Sequence, residues 1–543
     1  MELDLLLTNA RALTLDDSRP TAARIGVWQG RLVGFDEELD GLSARQTVDL
    51  DGAAVLPGFN DVHCHTTWFG LTLASVDVEA LPGGMDAVYA ALEQGARAAG
   101  EGEWVEATGF SQQDYDNAYP DIQVLDRITG GRPLFMRQVS GHAAIVNTKA
   151  LEMAGMLEPG YTDPAGGKVV RDEHGRPTGL IEETAQQAVQ DLIKPYSADT
   201  IVDCLDRATA QYAKEGITSI GEAGISGGWI GHSPIEVTAY MRALAQGRLR
   251  VRAQLMPSIY ALHEVAANSA DDFGLGLDLG VVTGFGDDDI SIGPTKIFMD
   301  GAMSGETAAM HANYAGRDHP GYLQEDPEVL RRQTLDAYRS GWSVAVHAIG
   351  DLAVDEAVKN IGDAIDRYGR HAIPSRIEHA GMVSDAALAK LAHYGIAVTP
   401  QAAFADAIGD GMNRSLGDDR VRMLYRGKSF VDGGVMLAGS SDRPCADGNA
   451  LRGIQAFVDR RTRSGGVFGV PEECISPLEA VRAYTCVAAE ASGQLDSKGT
   501  LSAGKLADMV VLGADPTQVD PEAIRDIEVR ATLRGGEFTH SAL

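Results

Sequence analysis

Two histidines spaced two residues apart are the first feature of this sequence that could support chemistry. His63 and His65 lie in the segment PGFNDVHCH, which has the composition of a β-strand. Because side chains alternate along a strand, both imidazoles face one side and Cys64 faces the other. Two imidazoles on one side can bind a divalent metal ion, although two ordinary polar histidines would explain this motif alone equally simply. We interpret Cys64 as a small packed residue.

A lysine inside an apolar segment is the second feature. Lys296 lies in PTKIFMDGA. Burying its charge is costly unless the amine is paired, deprotonated or chemically changed. The segment therefore indicates a neutral amine nucleophile, or a metal-bridging group formed when carbon dioxide adds to the amine. A lysine whose charge reaches solvent at a strand end is the alternative.

Three further polar residues end apolar segments. His347 ends WSVAVH, His379 ends SRIEH, and Asp442 ends VMLAGSSD. Each alone is typical of a polar strand terminus. Combined with the two histidines and the lysine above, they form a set of four imidazoles, one amine and one carboxylate. Such ligands favour zinc, with manganese, iron or nickel as alternatives.

The elements that must position these residues are alternating strands and helices. From Ile217 onward we predict the strands ITSIGEAG, VRAQLMPSIY, PTKIFMDGA, WSVAVHAIG, SRIEHAG, IAVTPQAAF and VMLAGSSD, and AVLPGFNDVHCH adds an eighth. Eight nearly continuous apolar strands separated by helices predict an α/β fold, a TIM-like (β/α)8 barrel over residues 57–489. Catalytic residues of such barrels lie at the carboxyl ends of the strands, which fits the placement of this set.

Both ends of the chain differ from its middle. Residues 1–56 and 490–543 contain short β-rich segments broken by Gly, Asp and Asn. We expect them to form one small β-sandwich domain, since chain termini often lie close together. Residues 66–216 are far more than one crossover needs, so we predict an insertion between the first and second barrel strands.

Charge and composition exclude several classes of protein. The 543 residues carry 46 Lys and Arg against 77 Asp and Glu, a net charge of −31. Nucleic acids and anionic membranes need a positive surface, so neither is an expected partner; we expect a small-molecule substrate. The chain has no apolar run of about 18 residues and no signal-peptide pattern at its start. Five cysteines without a Cys-x-x-Cys pair favour a reducing cytoplasm.

The motifs together resemble the amidohydrolase superfamily. The series His-x-His, Lys, His, His and Asp is similar to that superfamily's ligand pattern, and GTLSAGKLADMVVLGADP is similar to its return to a β-sandwich. More narrowly, the chain resembles the amidohydrolase 3, or YtcJ-like, branch, which includes N-substituted formamide deformylases. That resemblance rests on GHAAIVNTKAL, GGKVVRDEHGRPTGLIEETA, KIFMDGAMSGETA, HAIGDLA, RIEHAG and GSSDRP, which span nearly the whole chain.

The resemblance implies roles for the six residues. His63, His65 and Asp442 would bind a first metal ion. His347 and His379 would bind a second ion, or orient substrate if only one is present. Lys296 would be a carbamylated bridging lysine. The expected cofactor is one or two divalent ions per subunit, with zinc favoured.

The expected reaction is hydrolysis of a C–N bond, of amide type and with N-formyl and N-acyl compounds included. A divalent ion lowers the pKa of bound water toward ~7, which makes hydroxide available to attack the carbonyl. Asp442 would accept the proton of the nucleophile and return it to the leaving amine. His142, Asn147 and Glu182 match motif positions of the branch and are candidates for substrate contact. For Asn147 and Glu182, hydrogen bonding within a loop is the alternative.

Other functions remain open at this point. A deaminase, or a hydrolase of cyclic amides or esters, could use the same fold. Lys296 argues against the deaminase, since those sites need no lysine on the fourth strand. A non-catalytic relative is a remote alternative, because such proteins usually lose several ligands and this chain keeps all six. A homo-oligomer such as a dimer is also open.

Overall fold

The protein is described here by a computed structural model that covers residues 2–100, 102–164 and 166–543. Two parallel four-stranded sheets form its centre. One has the order Ile290–Ile292, Arg252–Pro257, Ile217–Ile225, Phe59–Cys64, and the other has the order Thr295–Phe298, Val344–Ala348, Arg376–His379, Ala397–Thr399. Seven of the eight predicted barrel strands are thus present as strands in parallel pairing.

Hydrogen bonds connect the two sheets on both sides. A parallel bridge pairs Ser258 with Lys296 on one side. On the other side, the predicted eighth strand is represented by a single parallel bridge between Val398 and Leu437. The same segment then reaches the first strand, where Asp442 N donates to His63 O at 2.8 Å. The fold is α/β, and these contacts are the ones that a TIM-like barrel requires.

Burial on both faces explains why these strands are rich in apolar residues. Every residue of Phe59–Cys64 and of Ile217–Ile225 is buried. Helices cover the outer face of such parallel strands. These helices begin at residues whose side chains cap them. Ser197 accepts from Thr200 N at the start of Ala198–Lys214, and Asp326 accepts from Glu328 N at the start of Pro327–Arg339.

The predicted strand AVLPGFNDVHCH is two strands in the structure. It breaks at Gly58, where a Cβ atom would lie 2.3 Å from the side chain of Thr218. The part before the glycine, Ala54–Pro57, pairs antiparallel with Met509–Leu512 near the carboxyl end of the chain. Only Phe59–Cys64 joins the parallel sheet. The close backbone approach at Gly58 therefore separates the two kinds of sheet.

Strands from both termini share one sheet and one hydrophobic core. The six-stranded sheet has the order Glu537–Ser541, Val529–Arg534, Met509–Leu512, Ala54–Pro57, Arg11–Leu13, Thr21–Ala22. A second sheet has the order Arg31–Phe35, Ile25–Trp28, Glu2–Thr8, Ser43–Asp49. Leu5 and Leu7 pack in the same core as Met509 and Leu533. The division into domains and a sandwich of these two sheets stay predictions.

The predicted insertion contains a mixed six-stranded sheet. Its order is Gly167–Arg171, Pro177–Glu183, Ala143–Val146, Leu134–Gln138, Val105–Phe110, Val76–Asp77. The following helix, Ala198–Lys214, buries Ile201 and Leu205 in the same core as strand Ile217–Ile225. Within residues 66–216, the extra sheet thus occupies the first part, and the last helix packs with the central strands.

The α-helices in the described residues are Thr66–Thr72, Met85–Ala98, Ile122–Thr129, Thr148–Met153, Gln186–Ile193, Ala198–Lys214, Glu236–Ala245, Pro327–Arg339, Asp351–Tyr368, Asp385–Tyr394, Phe404–Leu416, Lys428–Asp432, Ala450–Asp459, Pro477–Ala483 and Cys486–Ala491. None of them combines the length and the apolar character that a membrane span would need.

Candidate metal centre

Three of the predicted metal ligands form one buried cluster. The ligand atoms of His63, His65 and Asp442 all lie within 4.8 Å of one another. Asp442 Oδ1 lies 3.0 Å from His65 Nε2 and 3.2 Å from His63 Nε2. The two histidines come from the end of strand Phe59–Cys64, and the carboxylate comes from the segment paired beside it. These three side chains could hold one divalent ion.

Lys296 lies directly beside this cluster. Its Nζ atom is 3.4 Å from His63 Nε2 and 5.0 Å from the centre of the Phe298 ring. The residue is buried inside strand Thr295–Phe298. Burial lowers the pKa of the Lys296 amine to about 8. The lowered pKa increases the fraction of neutral amine near pH 7, and the neutral form is the one that can act as a nucleophile.

His347 and His379 lie next to the cluster but outside the group of three. The ring centre of His379 is 4.9 Å from that of His63 and 4.4 Å from that of His347. His379 Nδ1 lies 2.7 Å from Gln401 Oε1, and His347 Nε2 lies 3.1 Å from Gly301 O. Since these oxygens only accept, the bonded nitrogens carry the protons, and the other nitrogen of each ring has a free lone pair.

The electrostatics of the cluster suit metal binding. Burial lowers the pKa of His65, lowers that of His379 to about 3, and holds that of His347 well below its usual range. Neutral imidazoles are the form that binds metals. Burial alone would raise the pKa of Asp442, but contacts with His63 and His65 outweigh it and hold the pKa well below the usual range. Asp442 is therefore a carboxylate.

Glu378 is a functional residue that the sequence analysis missed. Its carboxylate bonds His63 Nδ1, accepts from Arg376 Nε at 2.6 Å and accepts from Thr399 Oγ1 at 3.1 Å. Burial would raise the pKa of Glu378, but Arg376 and His63 hold it well below the usual range. A carboxylate on Nδ1 leaves Nε2 of His63 facing Asp442, as is usual for a histidine that binds metal. An acid inside the apolar segment SRIEHAG was the signal that could have revealed it.

Asp300 is a second missed residue. It accepts backbone N–H bonds from Ala309 at 2.9 Å, Ile349 at 3.1 Å and Gly350 at 2.8 Å. Its Oδ1 atom lies 3.5 Å from His347 Nε2. Burial raises the pKa of Asp300 to about 7. Asp300 follows strand Thr295–Phe298 and binds the loop that follows strand Val344–Ala348. It therefore joins these two loops and supports the position of His347.

Backbone strain is concentrated at the same place. His379 has a φ angle of 70° and Asp442 has a φ angle of 58°, both in the left-handed region that non-glycine residues rarely adopt. Such conformations persist where the surrounding structure enforces them, and they cluster at functional sites. Here they turn the two side chains toward the cluster at the point where each strand ends.

A cavity of about 1730 Å³ opens over the cluster. Asp442, His347 and His379 form part of its wall, and Trp68, Phe404 and residues of the extra sheet form other parts. Arg443, to which the sequence analysis gave no role, binds Glu215 with bonds of 2.6 and 3.1 Å. The cavity is large enough for a substrate considerably bigger than a simple amide.

The structure places two of the three predicted substrate contacts, but not the third, at the cavity wall. His142 lines the cavity and bonds Glu183 Oε2 at 2.9 Å. Glu182 also lines the cavity, but Glu183, its neighbour, is the partner of His142. Asn147 is not among the described residues of the cavity wall. Its side chain accepts from Ala150 N at 3.1 Å as the cap of helix Thr148–Met153. Asn147 thus makes structural hydrogen bonds, to Thr129 and Ala150 among others, and its contact with substrate stays a prediction.

Known proteins resemble this chain over most of its length. A profile of the amidohydrolase family matches residues 46–540. The chain is 29% identical to the putative amidohydrolase YtcJ of Bacillus subtilis, over 93% of this chain and 92% of the relative. It is 26% identical to the N-substituted formamide deformylase of Arthrobacter pascens, over 98% of this chain and 97% of the relative.

Solved structures share the fold. An uncharacterized metal-dependent hydrolase from Pyrococcus horikoshii OT3 superimposes with a TM-score of 0.74 at 24% identity, covering 95% of this chain and 99% of the other. Atrazine chlorohydrolase TrzN from Arthrobacter aurescens TC1, in complex with zinc, has a TM-score of 0.54 at 14% identity, covering 99% and 95%. The family profile spans most of the sequence, and this chain belongs to the amidohydrolase family. The family is one of hydrolases.

Proposed function

We propose that this protein is a metal-dependent hydrolase of carbon–nitrogen bonds in small amides, N-formyl and N-acyl amines included, with its site at the rim of a closed (β/α)8 barrel. The observation that carries the proposal is the buried cluster of His63, His65 and Asp442, of which Asp442 lines the cavity, with Lys296 Nζ 3.4 Å from His63 Nε2. The N-substituted formamide deformylase among the relatives supports this substrate class.

The donor set fits a divalent ion of the zinc type. Two imidazoles and one carboxylate are common zinc ligands, and Glu378 supplies the carboxylate that usually orients such a histidine. The zinc bound to TrzN supports the same choice of metal. His347 and His379, with their free nitrogens, would bind a second ion or hold substrate. An ion held here supplies Lewis acidity and makes hydroxide available from water at neutral pH.

The residues of the chain would then divide the work of proton transfer and orientation. Asp442, ionised and placed between His63 and His65, accepts the proton of the attacking water and returns it to the departing nitrogen. His379, fixed through Nδ1 by Gln401, keeps its Nε2 atom directed away from that partner. The cavity walls hold the substrate carbonyl beside these groups and restrict its orientation.

Lys296 is proposed to be carbamylated and to bridge two ions. Only a neutral amine adds carbon dioxide, and burial supplies one by lowering the pKa to about 8. Carbamylation would turn a buried cation into a carboxylate beside the metal ligands. Metal-loaded protein exchanged with ¹³C-bicarbonate should give a carbamate carbon signal in NMR spectra that Lys296→Met lacks. Identical spectra for the two proteins would reject the modification.

The function is tested with a substrate panel. Zinc-loaded and manganese-loaded protein would be incubated with N-formyl amines, N-acyl amines, cyclic amides, esters and aminopyrimidines. We expect turnover of one or more acyclic amides, with release of amine and carboxylate measured separately. Turnover of aminopyrimidines with release of ammonia would instead favour a deaminase. Metal-loaded protein that cleaves no member of the panel would contradict the proposal.

A further inference from the structure

One pair of residues from the extra sheet, His142 and Glu183, lines the cavity close to His347. His142 Nδ1 lies 2.9 Å from Glu183 Oε2. The backbone joins the same two residues, because Glu183 N donates to His142 O at 2.8 Å. Glu183 has a φ angle of 50°, in the left-handed region. A main-chain bond, a side-chain bond and a strained backbone therefore hold this pair in one arrangement.

The carboxylate of Glu183 also lies beside a loop of the central strands. Burial would raise its pKa, but His142, Thr307 and Gln324 together hold the pKa below the usual value. A Cβ atom on Gly301 would lie 3.4 Å from Glu183 Oε1. Gly301 O also accepts the hydrogen bond from His347 Nε2. Gly301 therefore lies beside both His347 and Glu183, and it connects His347 to the pair of His142 and Glu183.

The arrangement determines which nitrogen of His142 is available. Nδ1 is committed to Glu183, and Nε2 has no hydrogen-bond partner among the residues that the structure describes. The side chain is 12% exposed and lines the cavity. Its ring centre lies 6.3 Å from that of His347 and 5.8 Å from that of Trp229. This imidazole is mostly buried and lines the cavity, and its Nε2 atom has no protein partner among the described residues. Such a nitrogen indicates a group placed to bind a ligand.

We propose that His142, oriented by Glu183, donates a hydrogen bond from Nε2 to the carbonyl oxygen of the bound amide and stabilises the negative charge that develops there. The inference rests on the proposed function and adds a catalytic residue from outside the central strands. Glu183 is a positioning residue, since it acts through His142. A fixed donor aimed at a developing oxyanion in a site that excludes water contributes strongly to catalysis. Because Nδ1 faces the carboxylate of Glu183, donation from Nε2 needs a doubly protonated ring, and the negative charge of Glu183 at 2.9 Å favours that form.

The turnover test compares three variants. His142→Ala should lower kcat by roughly 10²–10³-fold on the amide found in the panel, with little change in KM, because the bond strengthens in the transition state. Added imidazole should partly restore the rate of His142→Ala, which a purely structural role would not allow. Glu183→Gln should show a smaller loss in kcat, and the double variant should be no slower than His142→Ala. His174→Ala, an exposed histidine of the same sheet region, is the matched control.

A binding test decides the inference even without turnover. Acetohydroxamate places an anionic oxygen at a metal site, and calorimetry on zinc-loaded protein measures its affinity. His142→Ala should bind it roughly tenfold or more weakly than the unaltered protein. Equal affinity in the two proteins, with equal zinc content and equal melting temperature, would overturn the role of His142. Failure of the substrate panel would instead count against the proposed function, so the two failures are distinguishable.

Discussion

Asp442 contacts His63 through both its backbone and its side chain. Asp442 N donates to His63 O at 2.8 Å, and Asp442 Oδ1 lies 3.2 Å from His63 Nε2. The main-chain bond brings the segment after Ala397–Thr399 to the end of the first strand, and this pairing sets the distance between the two side chains. The candidate metal site therefore depends on correct pairing between parts of the chain that are distant in sequence.

Removing a metal ligand should remove the metal. In His65→Ala, one of the three clustered ligands is lost, so bound metal measured by plasma mass spectrometry should fall well below that of the unaltered protein. Chelation should abolish hydrolysis and added zinc should restore it. His393→Ala, at an exposed position of helix Asp385–Tyr394, should keep its metal. Full activity in metal-free protein would exclude a metal-dependent reaction.

Replacing Asp442 by asparagine should separate proton transfer from metal binding. Asn keeps the size of the side chain and a coordinating oxygen, but it removes the basicity of the carboxylate. Asp442→Asn should lower kcat by about 10²–10⁴-fold, the usual effect of losing acid–base catalysis. Metal content would be measured in the same sample and should be partly retained. Near-normal turnover with metal present would assign the proton transfer to another group, with His347 and His379 tested next.

The contact between Glu378 and Arg376 should affect both stability and metal affinity. Both residues are fully buried and joined at 2.6 Å. Glu378→Gln would leave a buried guanidinium without its counter-charge, so the free energy of unfolding should fall by about 3–5 kcal/mol. Metal affinity should fall roughly 10–100-fold, because Glu378 orients His63.

Urea unfolding and zinc titration measure these two effects separately. Glu356→Gln is the control, since it loses only a partly exposed ion pair with Lys359 that contributes about 0–1 kcal/mol. A zinc affinity of Glu378→Gln equal to that of the unaltered protein would show that Glu378 does not support the metal ligand.

Lys498 should make stability depend on pH. It is buried beside Ser219, and burial lowers the pKa of its amine to about 7 from an ordinary 10.5. Between pH 7 and 10.5 the folded state binds fewer protons than the unfolded state, so stability from this group rises with pH. Lys498→Met lacks the buried amine and should melt at a higher temperature than the unaltered protein at pH 7. This difference in melting temperature should become smaller from pH 7 to pH 9.5. A difference that stays constant across this range would mean that Lys498 remains charged in the folded protein.

Much of the site was predictable because local rules apply to it. A two-residue spacing places His63 and His65 on one side of a strand, and polar residues that end apolar strands converge where parallel strands end. The structure brings Lys296, His347, His379 and Asp442 to that place. The two interpretations of Asn147 could not be separated from the sequence, because a motif position does not reveal whether a side chain caps a helix or faces a cavity.

By itself, the sequence determined the type of strand, the alternation of strands and helices, and the residues available as ligands, since these follow from side-chain chemistry and short-range periodicity. Only the tertiary structure decided which groups hold those ligands in place. Glu378 on His63 and Glu183 on His142 are pairs between distant segments, and nothing in the local pattern of either partner specifies the other. Glu183, and not its neighbour Glu182, bonds His142, and two identical residue types side by side in the sequence do not show which of them finds the partner.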